Sequence, residues 1–349
     1  MKGCESMTFE DIKKEVQKPA YDFLRNDPKL GNNIILLGLG GSHAYGTNVE
    51  DSDIDIRGIA LNSKQETLLQ RDYEQVVERE TDTVIYSLTK IVELLSDDNP
   101  NTLEILFLRP DQYLYLSPLG QELVDKRHMF LYKRAYYSFG GYARQQLRRL
   151  DNKTMRSLSQ SQQEAHILNS IINASYTFHE KYFPFTDDEI KLYVDTAVNK
   201  DFETEIFMDI NLKHYPLRDY KSMWMEMHNI VKDYNKLGKR ASNAILHNKV
   251  NKHAMHLVRL LLVCIDLLKT GTFCTHCEKY LPLLMDIRNG KYMGEDGQMI
   301  PAFFQLVKEL ENEMDDAFEH TCLPDKPDHA AIDAFMMDAR EKIVLGVAK

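Results

Sequence analysis

The sequence lacks long apolar runs, has few cysteines and carries no positive net charge, and each shortage excludes a class of protein. No apolar segment approaches the roughly 18 residues of a membrane-spanning helix, and residues 260–265 stop far short of that length. We therefore expect neither a membrane span nor a secretory signal. Five scattered cysteines, an odd number, favour reduced thiols in a cytoplasm over a disulfide framework. The formal net charge of −10 argues against broad, nonspecific affinity for nucleic acid.

Two common catalytic motifs are also missing. The sequence contains no Gly-x-x-x-x-Gly-Lys-[Ser/Thr], which argues against a P-loop kinase, and no Gly-x-Ser-x-Gly elbow of a serine hydrolase. It has no internal repeat and no low-complexity tract. At 349 residues, 43% of them apolar, the chain is longer than one typical domain, so we expect two packed domains.

A glycine-rich turn followed by paired acids is the most informative segment of the chain. The apolar run 34–37 enters the turn Gly38–Gly41, which ends at Ser42, and Asp53 and Asp55 follow after a gap of ten residues. Backbone N–H groups can approach phosphate oxygens closely only where no side chain intervenes, which explains glycines at such a turn. The segment therefore predicts a phosphate-binding turn beside two carboxylates.

The paired acids predict a metal site. Side-chain alternation along a strand over 53–61 puts Asp53, Asp55 and Arg57 on one face and the intervening isoleucines on the other. Two adjacent carboxylates repel each other unless a cation lies between them, and hard oxygen ligands favour Mg²⁺. Arg57 either neutralises a carboxylate or reaches the incoming phosphate or acceptor. Together with the turn, these residues predict metal-dependent phosphate transfer.

A third carboxylate usually completes such a site. Asp82 is the best-placed candidate, because it heads a β-branched run that can pair beside the first acidic strand. Glu78 and Glu80 compete with it for this role.

The turn and the acids resemble the signature of the DNA polymerase β-like nucleotidyltransferase superfamily. Residues 41–47 and 52–59 are similar to a narrower branch, the predicted nucleotidyltransferases named for an RNA repair pathway in bacteria and phages. Four further segments extend the resemblance over about residues 34–295: 99–107, 135–150, 252–260 and 287–290.

The resemblance implies roles for particular residues. It implies that Gly41 and Ser42 bind a triphosphate and that Asp53, Asp55 and Asp82 bind two Mg²⁺ ions, with Mn²⁺ as the alternative. His43 departs from the branch and either touches a phosphate or caps the turn.

Two basic features offer candidate partner surfaces. Between residues 125 and 156 the sequence has nine Lys or Arg residues and only two acidic residues, Asp125 and Asp151. Interleaved tyrosines and a phenylalanine suit either a solvated helix or a surface for RNA or polyphosphate. Further along, one helical stripe either pairs with acids of neighbouring helices or lines a cleft that meets the nucleotide; it consists of Lys249, Lys252, His256 and Arg259.

Apolar periodicity predicts an α+β chain in which mixed strands and helices give way to helices alone near residues 110–130. The resemblance implies a polymerase β-like domain over 1–115, with a mixed sheet and flanking helices, followed by an all-helical acceptor- or nucleotide-binding domain over 116–349. We expect strands at 34–37, 53–61, 76–77 and 83–86, and a loop at 62–75. We expect helices at 8–24, 42–46, 89–96, 102–108, 119–125, 130–150, 158–181, 187–197, 218–238, 242–270 and 301–319, and a last one after residue 328.

The glycine turn and the acids predict metal-dependent phosphate transfer. With the resemblance they imply a cytoplasmic, Mg²⁺-dependent enzyme that moves a nucleoside monophosphate from an NTP, ATP or CTP by preference, to an acceptor hydroxyl and releases pyrophosphate. The RNA repair resemblance favours an RNA end as acceptor, tRNA in particular. A protein hydroxyl, as in an AMP-transferring modifier or toxin, and a noncatalytic nucleotide or RNA sensor remain alternatives.

Overall fold

The computed structural model describes residues 7–50, 52–155, 190–196, 204–211, 243–294 and 298–347, together with isolated positions between 198 and 228. The predicted helices at 158–181 and 218–238 lie wholly or largely outside these residues. Cα packing separates two compact units. The first comprises the described residues of Met1–Gln146, Ala254–Tyr292 and Ile300–Lys349, and the second those of Leu147–His253 and Met293–Met299.

The first unit is built on a five-stranded mixed sheet, which confirms the predicted fold class of the N-terminal region. The strand order is β3-β4-β2-β1-β5. Strands β2 and β4 are parallel, and the other neighbours are antiparallel. The strands are β1 (Ile34–Leu39), β2 (Ile56–Ala60), β3 (Gln75–Glu78), β4 (Thr83–Ser87) and β5 (Tyr113–Leu116). Every residue of β1 is buried, so the sheet is covered on both faces at that strand.

Helices flank this sheet and form the greater part of the rest of the described chain. The helices before residue 160 are α1 (Phe9–Glu15), α2 (Phe23–Asn26), α3 (Gly41–Tyr45), α4 (Lys64–Leu69), α5 (Leu88–Ser96), α6 (Pro100–Leu106), α7 (Pro118–Asp125) and α8 (Arg134–Met155). The later ones are α9 (Asn243–Thr270), α10 (Leu281–Arg288), α11 (Pro301–Glu319) and α12 (His329–Leu345). Among the described residues, no helix has the length and apolar character needed to cross a membrane.

The single helix predicted over 8–24 is wrong in extent. Helix α1 ends at Glu15, and Lys18 is extended (φ −73°, ψ 160°). The cause is Pro19, which has no N–H to continue the helix and disfavours the helical region for the residue before it.

The predicted loop over 62–75 contains a helix. The Ser63 hydroxyl accepts a hydrogen bond from the Glu66 N–H (3.2 Å), and the Glu66 carboxylate accepts one from the Ser63 N–H (2.8 Å). This reciprocal capping box satisfies two N–H groups that a helix start leaves open, and it begins α4.

The helix predicted over 187–197 is wrong, because Ile190–Thr196 is a strand, β6. It pairs antiparallel with β7 (Thr204–Ile210) from Ile190↔Ile210 to Thr196↔Thr204. Its side chains alternate with period two and include β-branched and aromatic residues, which suit a strand. The elements described after α7 are helical, as predicted, apart from this two-stranded sheet and an isolated antiparallel bridge between Met293 and Met299.

The compact unit that holds the sheet continues past the predicted boundary at residue 115 to Gln146 and takes in the later part of α9. A division of roles between a catalytic domain over 1–115 and an acceptor domain over 116–349 stays a prediction.

Candidate active site

The turn and the acids meet at one edge of the sheet because of how three strands run. In the antiparallel pair β1–β2, Leu39 at the end of β1 lies opposite Ile56 at the start of β2. In the parallel pair β2–β4, Ile56 lies opposite Thr83, the first residue of β4. The residues that follow β1 and those that precede β2 and β4 therefore meet at this edge.

The glycine turn and Asp55 are packed directly against each other. The Gly40 N–H donates to the Asp55 carbonyl oxygen over 2.8 Å. Gly41 has φ +53°, and a Cβ atom there would lie 1.9 Å from Oδ2 of Asp55. Only glycine fits at Gly41, because any side chain would take the space of the acid.

The acids lie before β2 rather than on it. The predicted strand over 53–61 begins only at Ile56, so Asp53 and Asp55 belong to the preceding loop. The predicted start of the strand at residue 53 is therefore wrong, and the common face of Asp53 and Asp55 stays a prediction.

Arg57 joins two of the three predicted acids. Its Nη2 lies 3.3 Å from Oδ1 of Asp55 and 3.3 Å from Oδ1 of Asp82. Its Nη1 also donates to the carbonyl oxygens of Ile56 (3.0 Å) and Asp82. The guanidinium is thus the counter-charge between two carboxylates, the first of the two roles considered for it.

Asp82 is the candidate third acid that these contacts tie to Asp55. It has φ +43° at the tight turn between β3 and β4, a conformation that costs a non-glycine residue free energy. Glu80 is exposed on that turn, and its N–H contacts the carboxylate of Glu78 over 3.3 Å.

The oxygen donors of this edge fit a divalent cation, because Asp55 and Asp82 already converge on one cationic group. Asp53 is exposed in the loop two residues before Asp55. In the described part of the chain, no three His, Cys, Asp or Glu side chains are gathered into a metal site. The structure therefore brings together two of the three predicted metal ligands.

Helix α3, which carries Ser42, is held at its end by polar contacts. Gly46 ends it in the left-handed region (φ +69°), and a Cβ there would lie 2.3 Å from the ring of His276. Nε2 of the buried Gln112 donates to the Ala44 carbonyl oxygen over 2.8 Å, which satisfies a carbonyl that the end of a helix leaves open. These contacts fix the end of the helix whose first residue, Gly41, packs against Asp55.

His43 lies inside the unit rather than on the surface of the turn. Its side chain is 8% exposed, and burial lowers its pKa. The imidazole is therefore neutral at neutral pH, and it adds no positive charge to the turn.

The residues of the predicted basic stripe fall into both compact units. Lys252 is exposed on the part of α9 that belongs to the second unit. In the first unit, the His256 ring lies edge-on to the Tyr142 ring, 5.3 Å between centroids. Arg259 is 7% exposed, with its guanidinium carbon 3.5 Å from the Tyr45 ring centroid. The side chain of Lys249 is outside the described residues.

The stretch 126–156 is less open than its sequence indicates. Three of its bases form ion pairs, Lys126 with Glu122, Lys133 with Asp325 and Arg134 with Asp97. Tyr132 and Phe139 are buried, and the Tyr136 ring stacks on Phe318. Tyr137, 59% exposed, is the most open aromatic of this stretch in the described residues.

Glu104 and Gln112, both buried at this edge, were not predicted as site residues. Glu104 interrupts the apolar run 103–108, and a lone carboxylate in a buried helix is the signal that could have identified it. Gln112 carries no such signal, because its contacts depend on the tertiary fold.

A match to a family model places a chain with this edge among the DNA polymerase β-like nucleotidyltransferases. Within that class it belongs to the family described as "RlaP: RNA repair pathway DNA polymerase beta family", whose model matches residues 5–184, just over half of the chain. Comparisons with curated proteins and with solved structures gave no match. The family model ends before 252–260 and 287–290, so the similarity of those segments stays a prediction.

Proposed function

We propose that this chain transfers a nucleoside monophosphate from an NTP, ATP or CTP by preference, to the hydroxyl of an RNA end and releases pyrophosphate. The observation that carries the proposal is the packing of the Gly41 turn against Asp55, with Asp82 joined to Asp55 through Arg57. This edge offers a phosphate-binding turn and acidic ligands side by side. The family's association with RNA repair supports an RNA acceptor, and free thiols at all four described cysteines support a cytoplasmic location.

The residues of the edge take distinct roles in this proposal. The Ser42 N–H and hydroxyl contact the β- and γ-phosphates. Gly41 leaves the space that Asp55 occupies and sets the direction of the backbone in the turn. Its own N–H faces the Glu104 carboxyl. Asp82, 55% exposed, lies where an acceptor hydroxyl can approach, and it orients that hydroxyl for attack.

Nucleotidyltransferases of the polymerase β type generally use divalent metal ions. We propose that Asp53, Asp55 and Asp82 hold two Mg²⁺ ions here, with Mn²⁺ as the alternative. When bound, such ions neutralise the triphosphate and lower the pKa of the attacking hydroxyl. Arg57 must then share Asp55 and Asp82 with the incoming ion.

Transfer of label tests the proposed reaction. The protein is incubated with Mg²⁺ and each α-³²P-labelled NTP, with total tRNA in one arm and a cell lysate in another. We expect labelled RNA in the wild type and a loss on the order of 10²-fold or more in Asp53→Ala/Asp55→Ala, because the developing charge loses its counter-ions.

Asp125→Ala/Asp333→Ala, which removes two exposed aspartates of α7 and α12, is the matched control and should transfer normally. Label on a protein band instead of RNA would show that the acceptor is a protein hydroxyl and would contradict the RNA acceptor. No label in any arm from a folded protein would contradict the transferase and favour a nucleotide or RNA sensor.

A protein hydroxyl is the second candidate acceptor. It is favoured by the net charge of −10 and by the ion pairs and buried rings of the stretch 126–156. Both features reduce the surface available to RNA in the described part of that stretch.

Arg57→Gln tests the metal ligands without an activity assay. Without the guanidinium, Asp55 and Asp82 lose the cation that they share, so Mg²⁺ no longer competes with Arg57 for them. We expect a lower melting temperature in EDTA and a larger rise on adding Mg²⁺ than in the wild type. Arg79→Gln, at an exposed arginine, should leave the rise unchanged. A smaller rise in Arg57→Gln would show that these acids do not bind the ion.

A further inference from the structure

A carboxylate is buried directly behind the glycine turn. Glu104 lies on α6 within the buried residues Thr102–Leu106 and is 6% exposed. A buried charge is costly unless neighbouring groups compensate for it. The groups that face Glu104 therefore show what it does.

Two of those groups belong to helix α3. The Tyr45 hydroxyl and the Gly41 backbone N–H both face the Glu104 carboxyl and lower its pKa. Burial raises the pKa of Glu104, and the positive charge of Arg259 is the strongest of the effects that oppose it, with a weaker contribution from Arg57. Glu104 thus faces both the first and the last residue of the helix that carries Ser42.

The compensating cation comes from α9. Arg259 lies 3.5 Å above the Tyr45 ring, a distance at which a guanidinium is attracted to the ring face. Its Nε is buried and finds no hydrogen-bond acceptor among the described residues. Arg259 is 7% exposed, so its guanidinium is buried. Its charge interacts with the Tyr45 ring and with the Glu104 carboxyl.

We propose that Glu104, Tyr45 and Arg259 form a buried charge network that positions the glycine-serine turn, and that Arg259 acts through this network rather than by touching the triphosphate. All three are positioning residues. The inference rests on the proposed function only in taking the turn as the nucleotide-binding element. It also gives α9 a role in the site that differs from the predicted contact of Arg259 with nucleotide.

A double-mutant cycle tests the network. The variants are Arg259→Gln, Glu104→Gln and the double variant, in which an amide at 104 keeps the hydrogen-bond acceptor. Each single change removes one of two opposite buried charges that influence each other and leaves the other buried alone, whereas the double change removes both. We expect each single variant to melt about 4 °C or more below the wild type and the double variant to melt above either single variant.

The matched control is an exposed pair on α9 and α11. Lys269 and Glu313 lie 2.6 Å apart, with side chains 44% and 47% exposed. Because exposed pairs contribute little, Lys269→Gln, Glu313→Gln and their double variant should melt within about 2 °C of the wild type.

Hydrogen exchange of a peptide covering residues 38–47 reports on the turn without nucleotide. We expect about tenfold faster exchange in Arg259→Gln and recovery in the double variant. If Arg259→Gln does not fold, Glu104→Gln is compared with the double variant in the same way. Exchange in the double variant as fast as in the single variants would overturn the network.

Affinity for Mg²⁺ with non-hydrolysable ATP and CTP analogues separates the two roles of Arg259. We expect about tenfold weaker binding in Arg259→Gln, equal to 1.4 kcal/mol, and recovery to within about threefold in the double variant. Recovered exchange with unrecovered affinity would show that Arg259 touches the triphosphate, which would overturn the proposal. If the wild type binds neither analogue, the proposed function fails, while melting and exchange still decide the network.

Discussion

Gly41→Ala is expected to abolish nucleotidyl transfer, with a loss on the order of 10²-fold or more. A Cβ at this position would lie 1.9 Å from Oδ2 and 2.8 Å from Cγ of Asp55, and φ +53° is itself unfavourable for alanine. Either the turn or the acid has to move, and both belong to the proposed site. The measurement is transfer of α-³²P-labelled NTP, with affinity for a non-hydrolysable analogue beside it.

Gly141→Ala is the control for this change. Gly141 is exposed on α8, and a Cβ there would meet nothing within 4 Å. Alanine favours a helix over glycine by about 1 kcal/mol, so we expect normal transfer and a slightly higher melting temperature. Full transfer by Gly41→Ala would show that the contact with Asp55 is dispensable for the reaction.

Asp98→Asn is expected to stabilise the protein at alkaline pH by a few kcal/mol. Asp98 is fully buried between α5 and α6, and burial raises the pKa of its carboxyl to about 8. The backbone N–H groups of Tyr132 and Ala135 oppose this rise but lie outside full hydrogen-bond geometry. Its φ of +51° is one that asparagine tolerates well.

The pH dependence follows from the direction of this shift. Because the folded state binds the proton more tightly than the unfolded chain, the Asp98 contribution to stability falls by about 1.4 kcal/mol per pH unit between about pH 4 and 8. Above pH 8 the loss is complete. Asparagine does not titrate, so its advantage should be small near pH 4 and largest near pH 9.

Urea unfolding at these two pH values measures the difference. Asp97→Asn, which removes an exposed ion pair with Arg134, is the control and should change stability by less than about 1 kcal/mol at both. An equal effect of Asp98→Asn at both pH values would show that Asp98 is ionised throughout.

Local sequence was sufficient to predict the framework of the candidate site. The apolar run before Gly38 predicted β1, and the β-branched residues after Asp82 predicted β4. Once β1, β2 and β4 run as they do, their ends meet at one edge, so the proximity of Asp55 and Asp82 follows from topology. The starting residue of β2 was wrong, because alternation alone does not show where pairing with Leu39 begins.

The supporting residues could not be predicted, because their roles arise from tertiary contacts. Glu104 is compensated by Tyr45 and by Arg259, which come from distant parts of the sequence. The same holds for the basic stretch, where Lys133 pairs with Asp325. Charge and aromatic content indicated an open surface there, whereas burial and pairing depend on elements far along the chain.

The separation between Glu104 and Arg259 bears on the order in which the protein folds. Strands β1, β2 and β4 pair across short connections, which close at small entropic cost. They are also made first during synthesis, since a chain is built from its amino terminus. Arg259 follows about 150 residues after Glu104. A nascent chain can therefore pair these strands while Glu104 still lacks the charge of Arg259, and docking of α9 is the step that supplies it.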